Sequence, residues 1–410
     1  MDPLRILVVS QYFSPEEFRI NEVVESLALK GAKVDVLTGK PNYPDGIVFP
    51  GYKAWGCQTE QRKGASVYRV PLFPRGSRSA WRLALNYISF VIFGIFCGSW
   101  LLRRRHYDVV FVVGLSPILL AIPAIFFAWR KRLRLALWVQ DLWPASLSAT
   151  GYVRNRIVLK AVESVVRWIY GQSDLILVQS RAFIAEVSKL APRATIEYYP
   201  NSVDGGFAAP PLSGGASADI PALDQGFCVL FAGNVGTAQA VEVIVQAALL
   251  LKEYKDIRFV VLGKGSRWDW MQEQRQTLNL HNLYLPGRFP VSTMPSVMQK
   301  ADALLVTLAD EPIFALTVPN KVQAYLAAGR PIIASLNGEG ARVVFEAQAG
   351  LSVPPQDAEA LAAAVLKIYQ MPAAERVQLG VNGRRYFQEN FDHDRLVEQL
   401  LARLQALATR

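Results

Sequence analysis

Three cations set beside small residues could do chemistry in this 410-residue chain: Lys264 in VVLGKGSRW, Arg288 in LPGRFP and Lys321 in VPNKVQAYLAAGRPIIA. The last segment reads as a loop, a short helix, a glycine stop and a buried strand. Asn320 is a preferred N-cap there, and Gly329 with Pro331 ends the helix. A helix N-terminus presents unpaired N–H groups and about half a positive charge to an anion, and Lys321 would add a full charge at that mouth. A further turn, FAGNVGTAQAVE, brings Gly233 and Gly236, which permit close backbone approach, and Asn234, which can donate from its side chain. Each signal alone is weak, and a solvated lysine on a surface helix is the plain alternative. Together they put three cations and two glycine turns on the carboxyl edge of one expected sheet, a set that suits a diphosphate.

These turns need a scaffold of alternating strands and helices. In the first half, buried strands are expected at Leu4 to Val9, Lys33 to Thr38, Val67 to Val70, Asp108 to Val113, Leu135 to Val139, Leu175 to Gln179 and near Thr195 to Tyr199. A helix is expected from about Pro15 to Lys30, with Ser14 as N-cap, Pro15 at its first position and Glu17 completing a capping box. The stretch Gly205 to Gly226 is rich in Gly, Pro, Ala and Ser and reads as a linker. A second series follows, with strands at Cys228 to Ala232, Arg258 to Leu262, Leu283 to Leu285, Ala303 to Thr307, Pro331 to Ser335 and Gly350 to Val353. The expectation is an α/β protein of two facing Rossmann-like domains with parallel sheets and a cleft between them. Its parts would be residues 1–204, a linker 205–226, residues 227–390 and a terminal helix in 391–410.

Charge is unevenly spread. Residues 51–150 hold 14 Lys+Arg against 3 Asp+Glu, net +11, which exceeds the +10 of the whole chain. The same window contains the two longest uncharged runs, Leu83 to Leu102 and Val109 to Trp129, followed by Arg103, Arg104 and Arg105 and by Arg130, Lys131 and Arg132. Basic clusters beside apolar helices suit an anionic bilayer surface. Leu83 to Leu102 is long enough to span a bilayer but is diluted by Asn86, Ser89, Gly94, Gly98 and Ser99, so a helix lying in the interface is expected. The second run starts strand-like and carries Pro117 and Pro123, which suggests strand plus helix within a sheet. The basic residues interleave with aliphatic runs instead of lining a polar face with stacking aromatics, so no nucleic-acid partner is expected. Cys57, Cys97 and Cys228 are isolated and odd in number, and His106, His281 and His393 stand apart from carboxylates, so neither a disulfide framework nor a metal site is expected. The chain enters a strand almost at once, without a signal peptide, which suggests the cytoplasmic face of an inner membrane, peripheral or monotopic.

Four segments, FSPEEFRINEVVESLALKGAKVDVLTGKPNYPDG, VQDLWPASL, LFAGNVGTAQAVE and VPNKVQAYLAAGRPIIA, stand in the order found in a known family. The sequence resembles the GT-B, family 4 retaining glycosyltransferases of bacterial O-antigen, capsule and colanic-acid synthesis, over nearly its whole length. Within them it looks most like an N-acetyl-L-fucosamine transferase. The resemblance implies transfer from a UDP-sugar, with retention and no cofactor or obligatory metal, to an acceptor on the first domain, here a polyprenyl-diphosphate-linked glycan. It also implies that Gly233, Asn234, Gly236 and Gln239 face the diphosphate or sugar. Lys264 and Lys321 would neutralise the leaving group, Asn320 would bind the donor, and Gly287, Arg288 and Phe289 would hold the base. Lys321, Asp141 and Glu17 are the implied catalytic candidates, and Arg19 and Tyr43 lie on the acceptor side.

Many members carry two glutamates spaced E-x7-E, and here those positions are Leu316 and Ala324. Glu311 or Glu339 could take over, with Glu339 the donor-site candidate. A nonhydrolysing UDP-sugar epimerase shares the twin-domain plan but would want acid/base carboxylates and a histidine in its cleft. An inactive membrane-bound scaffold of an assembly complex is the reading from another class. An NAD-dependent oxidoreductase is disfavoured because the first βα turn, SQYFSPEEFRIN, has no glycine fingerprint.

Overall fold

Short apolar runs punctuated by glycine and proline fold as strands buried on both faces, and the helices between them cover those faces. A computed structural model describes residues 2–76, 80–116, 118–149, 155–203 and 220–409. It forms two compact units, residues 1–199 with 394–410, and residues 200–393. Pro117 and residues 205–219 of the expected linker lie outside the described residues. Residues 221–223 of that linker form a 3₁₀ turn that buries Ala222 and Leu223 in the second unit's core.

The first unit holds strands β1 (Arg5–Val9), β2 (Lys33–Thr38), β3 (Gln58–Arg62), β4 (Ala65–Arg69), β5 (Val109–Gly114), β6 (Arg134–Val139), β7 (Leu175–Val178) and β8 (Thr195–Tyr198). They lie in the order β3-β4-β2-β1-β5-β6-β7-β8. All neighbours are parallel except β3 and β4. The register puts Val8 of β1 between Val36 of β2 and Phe111 of β5. β3 was not expected, because QTEQR has no apolar face. It is an edge strand that pairs with β4 across a tight turn in which Lys63 and Gly64 both take positive φ.

The first helix, α1, spans Ile20–Leu29 and starts later than its apparent capping box suggested. Ser14 does not cap it. The Ser14 amide instead donates to Asn21 Oδ1 at 2.8 Å, and Arg19 occupies the cap position. Helix α2 covers Ala80–Leu101 and helix α3 covers Ala121–Lys131, so the second uncharged run is indeed a strand followed by a helix. The helix His393–Ala408 returns to the first unit, where Leu396, Val397, Leu400 and Leu404 join Ile6, Val8 and Phe111 in one core. Arg403 Nε meets Glu197 Oε2 there at 2.7 Å. Partial burial, and after it the nearby Cys97 thiol, distant in sequence, raise the Cys57 pKa.

The second unit is a six-stranded, wholly parallel sheet: β9 (Phe227–Ala232), β10 (Ile257–Leu262), β11 (Leu283–Gly287), β12 (Ala303–Thr307), β13 (Ile332–Ser335) and β14 (Gly350–Val353). Their order is β11-β10-β9-β12-β13-β14. Chain order reverses between β9 and β12, and ligands of open α/β sheets bind outside the carboxyl ends of strands at such a point.

Candidate active site

The loops leaving β9, β10 and β11 are tied by main-chain bonds into one rim. Gly233 N donates to Leu262 O at 2.8 Å, Val235 N to Lys264 O at 3.2 Å and Gly263 N to Gly287 O at 2.8 Å. Gly233 has φ +142°, and a Cβ there would stand 2.4 Å from Lys321 Cε. Glycine is therefore required at this position for the lysine to lie across the strand end.

With the start of the helix Asn320–Ala328, these loops enclose a cavity of about 480 Å³. Gly233, Asn234, Lys264, Arg288, Phe289, Asn320 and Lys321 all line it. Asn320 is the first helical residue and not its cap, because Pro319 holds the extended cap conformation and makes no side-chain cap bond. Gly329 closes the helix in the left-handed conformation, φ +69°, as its sequence suggests. The remaining walls are apolar, with Val291, Met294, Met298 and Ala324 facing the polar rim. Nothing in the local pattern around these residues signals that they belong to a site.

Among the residues lining this cavity, Lys321 is the group most altered by its surroundings. Part of its stem reaches solvent, but its Nζ is buried and has no hydrogen-bond partner. The nitrogen lies 3.6 Å from the centre of the Phe231 ring, whose face partly compensates its charge. Burial lowers its pKa to about 7. Beneath it, the Tyr325 hydroxyl accepts from Ala232 N at 3.1 Å and joins the helix to the end of β9. An unpaired ammonium at a helix mouth, next to Lys264 and Arg288, is arranged to receive an anion.

Other candidate residues are placed differently. Asn234 Nδ2 donates to Gln239 Oε1 at 3.0 Å, and a Cβ on Gly236 would lie 2.7 Å from that same Nδ2, so Gly236 and Gln239 adjoin the cavity through Asn234 without lining it. Glu339 opens the helix Glu339–Glu346 in a forked pair with Arg342, both contacts 2.9 Å, and does not line the cavity. Glu311 is exposed. Ala324 faces the cavity as a methyl group. A second cavity of about 580 Å³ lies at the far end of the Asn320 helix. There Arg384 and Arg330 donate to the main-chain oxygens of Ala328 and Gln299, so these guanidiniums serve as helix caps.

In the first unit Tyr43 packs on Phe18 and Tyr12, with ring centres 5.1 and 5.6 Å apart, and Arg75 lies over its ring. Arg19 is half-buried at the start of α1. Asp141 follows β6. Burial pushes its carboxyl pKa up, and hydrogen bonds from the Ser116 side chain and amide partly offset this. Glu17 is exposed, while its neighbour Glu16 is buried and accepts from the amides of Tyr43 at 2.7 Å, Asn42 at 2.8 Å and Phe13 at 3.3 Å. A capping-box reading selects the wrong glutamate as the anchored one, because the loop folds back on the KPNYP turn. Glu16→Ala should cost about 2–4 kcal/mol by orphaning these amides, and Glu17→Ala less than about 0.5 kcal/mol, as read from urea midpoints.

Two doubly wound, mainly parallel sheets, one with its cation-lined cavity at the switch point, give the chain the GT-B fold. The fold matches sucrose-phosphate synthase from Thermosynechococcus elongatus with a TM-score of 0.73, at 19% identity, over 99% of this chain and 100% of that one. It also matches Anabaena HepE in complex with UDP and glucose with a TM-score of 0.66, at 13% identity, over 98% of this chain and 100% of that one. Residues 17–202 match the glycosyl transferase 4-like domain and residues 226–371 the glycosyl transferases group 1 model, together well over half the chain. The chain belongs to the group 1 glycosyltransferases. WcaI of Escherichia coli strain K12, whose name assigns it to colanic acid biosynthesis as a glycosyl transferase, is 24% identical over 97% of this chain and 99% of its own length.

Proposed function

We propose that the protein is a retaining glycosyltransferase that moves a sugar from a UDP-sugar to a polyprenyl-diphosphate-linked glycan during surface polysaccharide synthesis, at the cytoplasmic face of the inner membrane. The observation that carries this reading is the unpaired, buried Nζ of Lys321 at the mouth of a helix, in a cavity shared with Lys264 and Arg288. The UDP and glucose held by HepE and the naming of WcaI support the donor class and the pathway type. The uracil takes the apolar side of the cavity beside Phe289, and the diphosphate takes the cations.

The bond from the anomeric carbon to the donor phosphate oxygen breaks while an acceptor hydroxyl attacks from the same face. The hydroxyl proton passes to the departing phosphate, so no separate protein base is needed. Lys321 stabilises the charge that develops on that phosphate, a donor aimed at the transition state. In the first unit, Asp141, Tyr43 and Arg19 are the residues assigned to acceptor binding, and Glu17 is an exposed carboxylate. Ala324 presents a methyl where a carboxylate would grip sugar hydroxyls, which favours a donor with methyl groups of its own, such as the deoxy, N-acetylated sugar L-FucNAc.

Thermal unfolding against UDP, GDP, CMP, NADH and several UDP-N-acetyl sugars tests the donor. Binding to the native state raises the midpoint by mass action, by about 2.7 kcal/mol of stability at a hundred times Kd. The expected result is a shift confined to the uridine diphosphates and largest with one deoxy amino-sugar. A shift with NADH, or none with uridine, overturns the reading.

A further inference from the structure

Helix α2 leaves a stripe of large apolar residues in solvent. Trp81, Leu85, Ile88, Ile92, Phe96 and Trp100 recur at three- and four-residue steps, and Trp81, Phe96 and Trp100 are 63%, 71% and 60% exposed. Residues so spaced share one face of a helix. The opposite face is fixed to the first unit. A Cβ on Gly94 would lie 2.9 Å from Pro123 of α3, and one on Gly98 would lie 3.0 Å from Phe127 and 3.2 Å from Leu37, so the two glycines let α2 lie directly on α3 and the sheet. Phe90 and Asn86 are wholly buried, and Asn86 accepts from Gln11 Nε2 at 2.7 Å and donates to Phe73 O at 2.6 Å.

Cations frame the exposed stripe. Arg82 lies 5.5 Å over the Trp81 ring and Arg103 lies 4.9 Å over the Trp100 ring, one pair at each end. Lys131 Nζ donates to Arg105 O at 2.7 Å, which brings the cluster after α3 against the cluster after α2.

We propose that this face of α2 is a monotopic docking surface for an anionic lipid bilayer, with the helix lying in the plane of the interface and not crossing it. α2 is, among the described residues, the one helix long and apolar enough to span a membrane. Spanning would nonetheless strip Gly94 and Gly98 from their seats and carry the bonded Asn86 into hydrocarbon. Inserting one face costs none of these contacts. Tryptophan at both ends suits the headgroup level, and the arginines meet lipid phosphate. The inference deepens the membrane location proposed above but does not depend on the identity of the donor.

The test is co-sedimentation of the full chain with vesicles of phosphatidylglycerol and phosphatidylethanolamine, and with vesicles of phosphatidylcholine alone. Binding is expected to the anionic vesicles, weakened at high salt, and about tenfold or more weaker in the Ile92→Asp, Phe96→Asp double variant, since one exposed stripe carries the apolar contact. Quenching of wild-type tryptophan fluorescence by lipids brominated near the headgroup, with release of the protein by alkaline carbonate, is the expected sign of shallow insertion and needs no variant. Absence of vesicle binding, an unaffected double variant, carbonate resistance, or a dimer that the double variant dissolves would each overturn the proposal. A failed uridine response with intact vesicle binding would sink only the donor assignment.

Discussion

Lys321→Ala is expected to lower turnover by about 10²–10³, the range seen when one preorganised donor to a developing charge is lost. The fold should survive and, below neutral pH, gain stability. The sign follows from proton binding. The lysine of the unfolded chain has a pKa of about 10.4, and burial against Phe231 lowers that of the folded chain to about 7. Between these values the unfolded state holds a proton that the native state does not, so native stability rises with pH across this window by up to about 1.4 kcal/mol per unit. A non-titrating methionine at this position removes the slope. Denaturant midpoints of wild type and Lys321→Met from pH 6 to pH 9.5, alongside turnover at one pH, separate the two effects. Unchanged turnover in Lys321→Ala would remove this residue from the reaction.

The same environment predicts that donor binding takes up a proton. Free Lys321 is largely neutral above pH 7, and a diphosphate beside it restores the charged form by direct pairing. The donor phosphates stay ionised throughout, so apparent affinity should fall by up to about tenfold for each pH unit above 7 until the pKa of the bound state is reached. Calorimetry in buffers of different ionisation enthalpy, at pH 8, should then give binding heats that change with the buffer by nearly one proton. Lys321→Met should bind more weakly and show no buffer dependence. Burial holds Tyr325, the other affected titrating group at this cavity, above its ordinary range, so it does not titrate in the same interval. Buffer-independent heats in the wild type would mean that the ligand does not pair with this amine.

Both effects rest on a residue whose position was legible in the sequence and whose environment was not. The strand β2, Lys33–Thr38, follows directly from its alternating apolar residues. The left-handed stop at Gly329 follows from glycine before Arg330-Pro331. The three loops that carry Lys264, Arg288 and the Gly233 turn were each marked by glycine at a strand end. Elsewhere the local signal misled. The Ser14, Pro15 and Glu17 pattern imitates a helix start, yet the chain there makes a loop whose bonding is completed by Asn42 and Tyr43, more than twenty residues on. β3 is polar on both faces and reveals itself only through its partner β4.

Sequence alone determined the alternation of strand and helix, the places where backbone had to turn tightly, and the concentration of positive charge beside apolar runs. These follow from short-range sterics and from the period with which side chains meet a core. The tertiary structure decided what each charge faces. It set Phe231 under Lys321 across 90 positions of chain, returned the last helix to the first unit's core, chose Glu16 over Glu17 for burial, and turned one side of α2 outward. Desolvation and pairing depend on neighbours brought together from distant segments, and such contacts leave no periodic trace in the residues that make them.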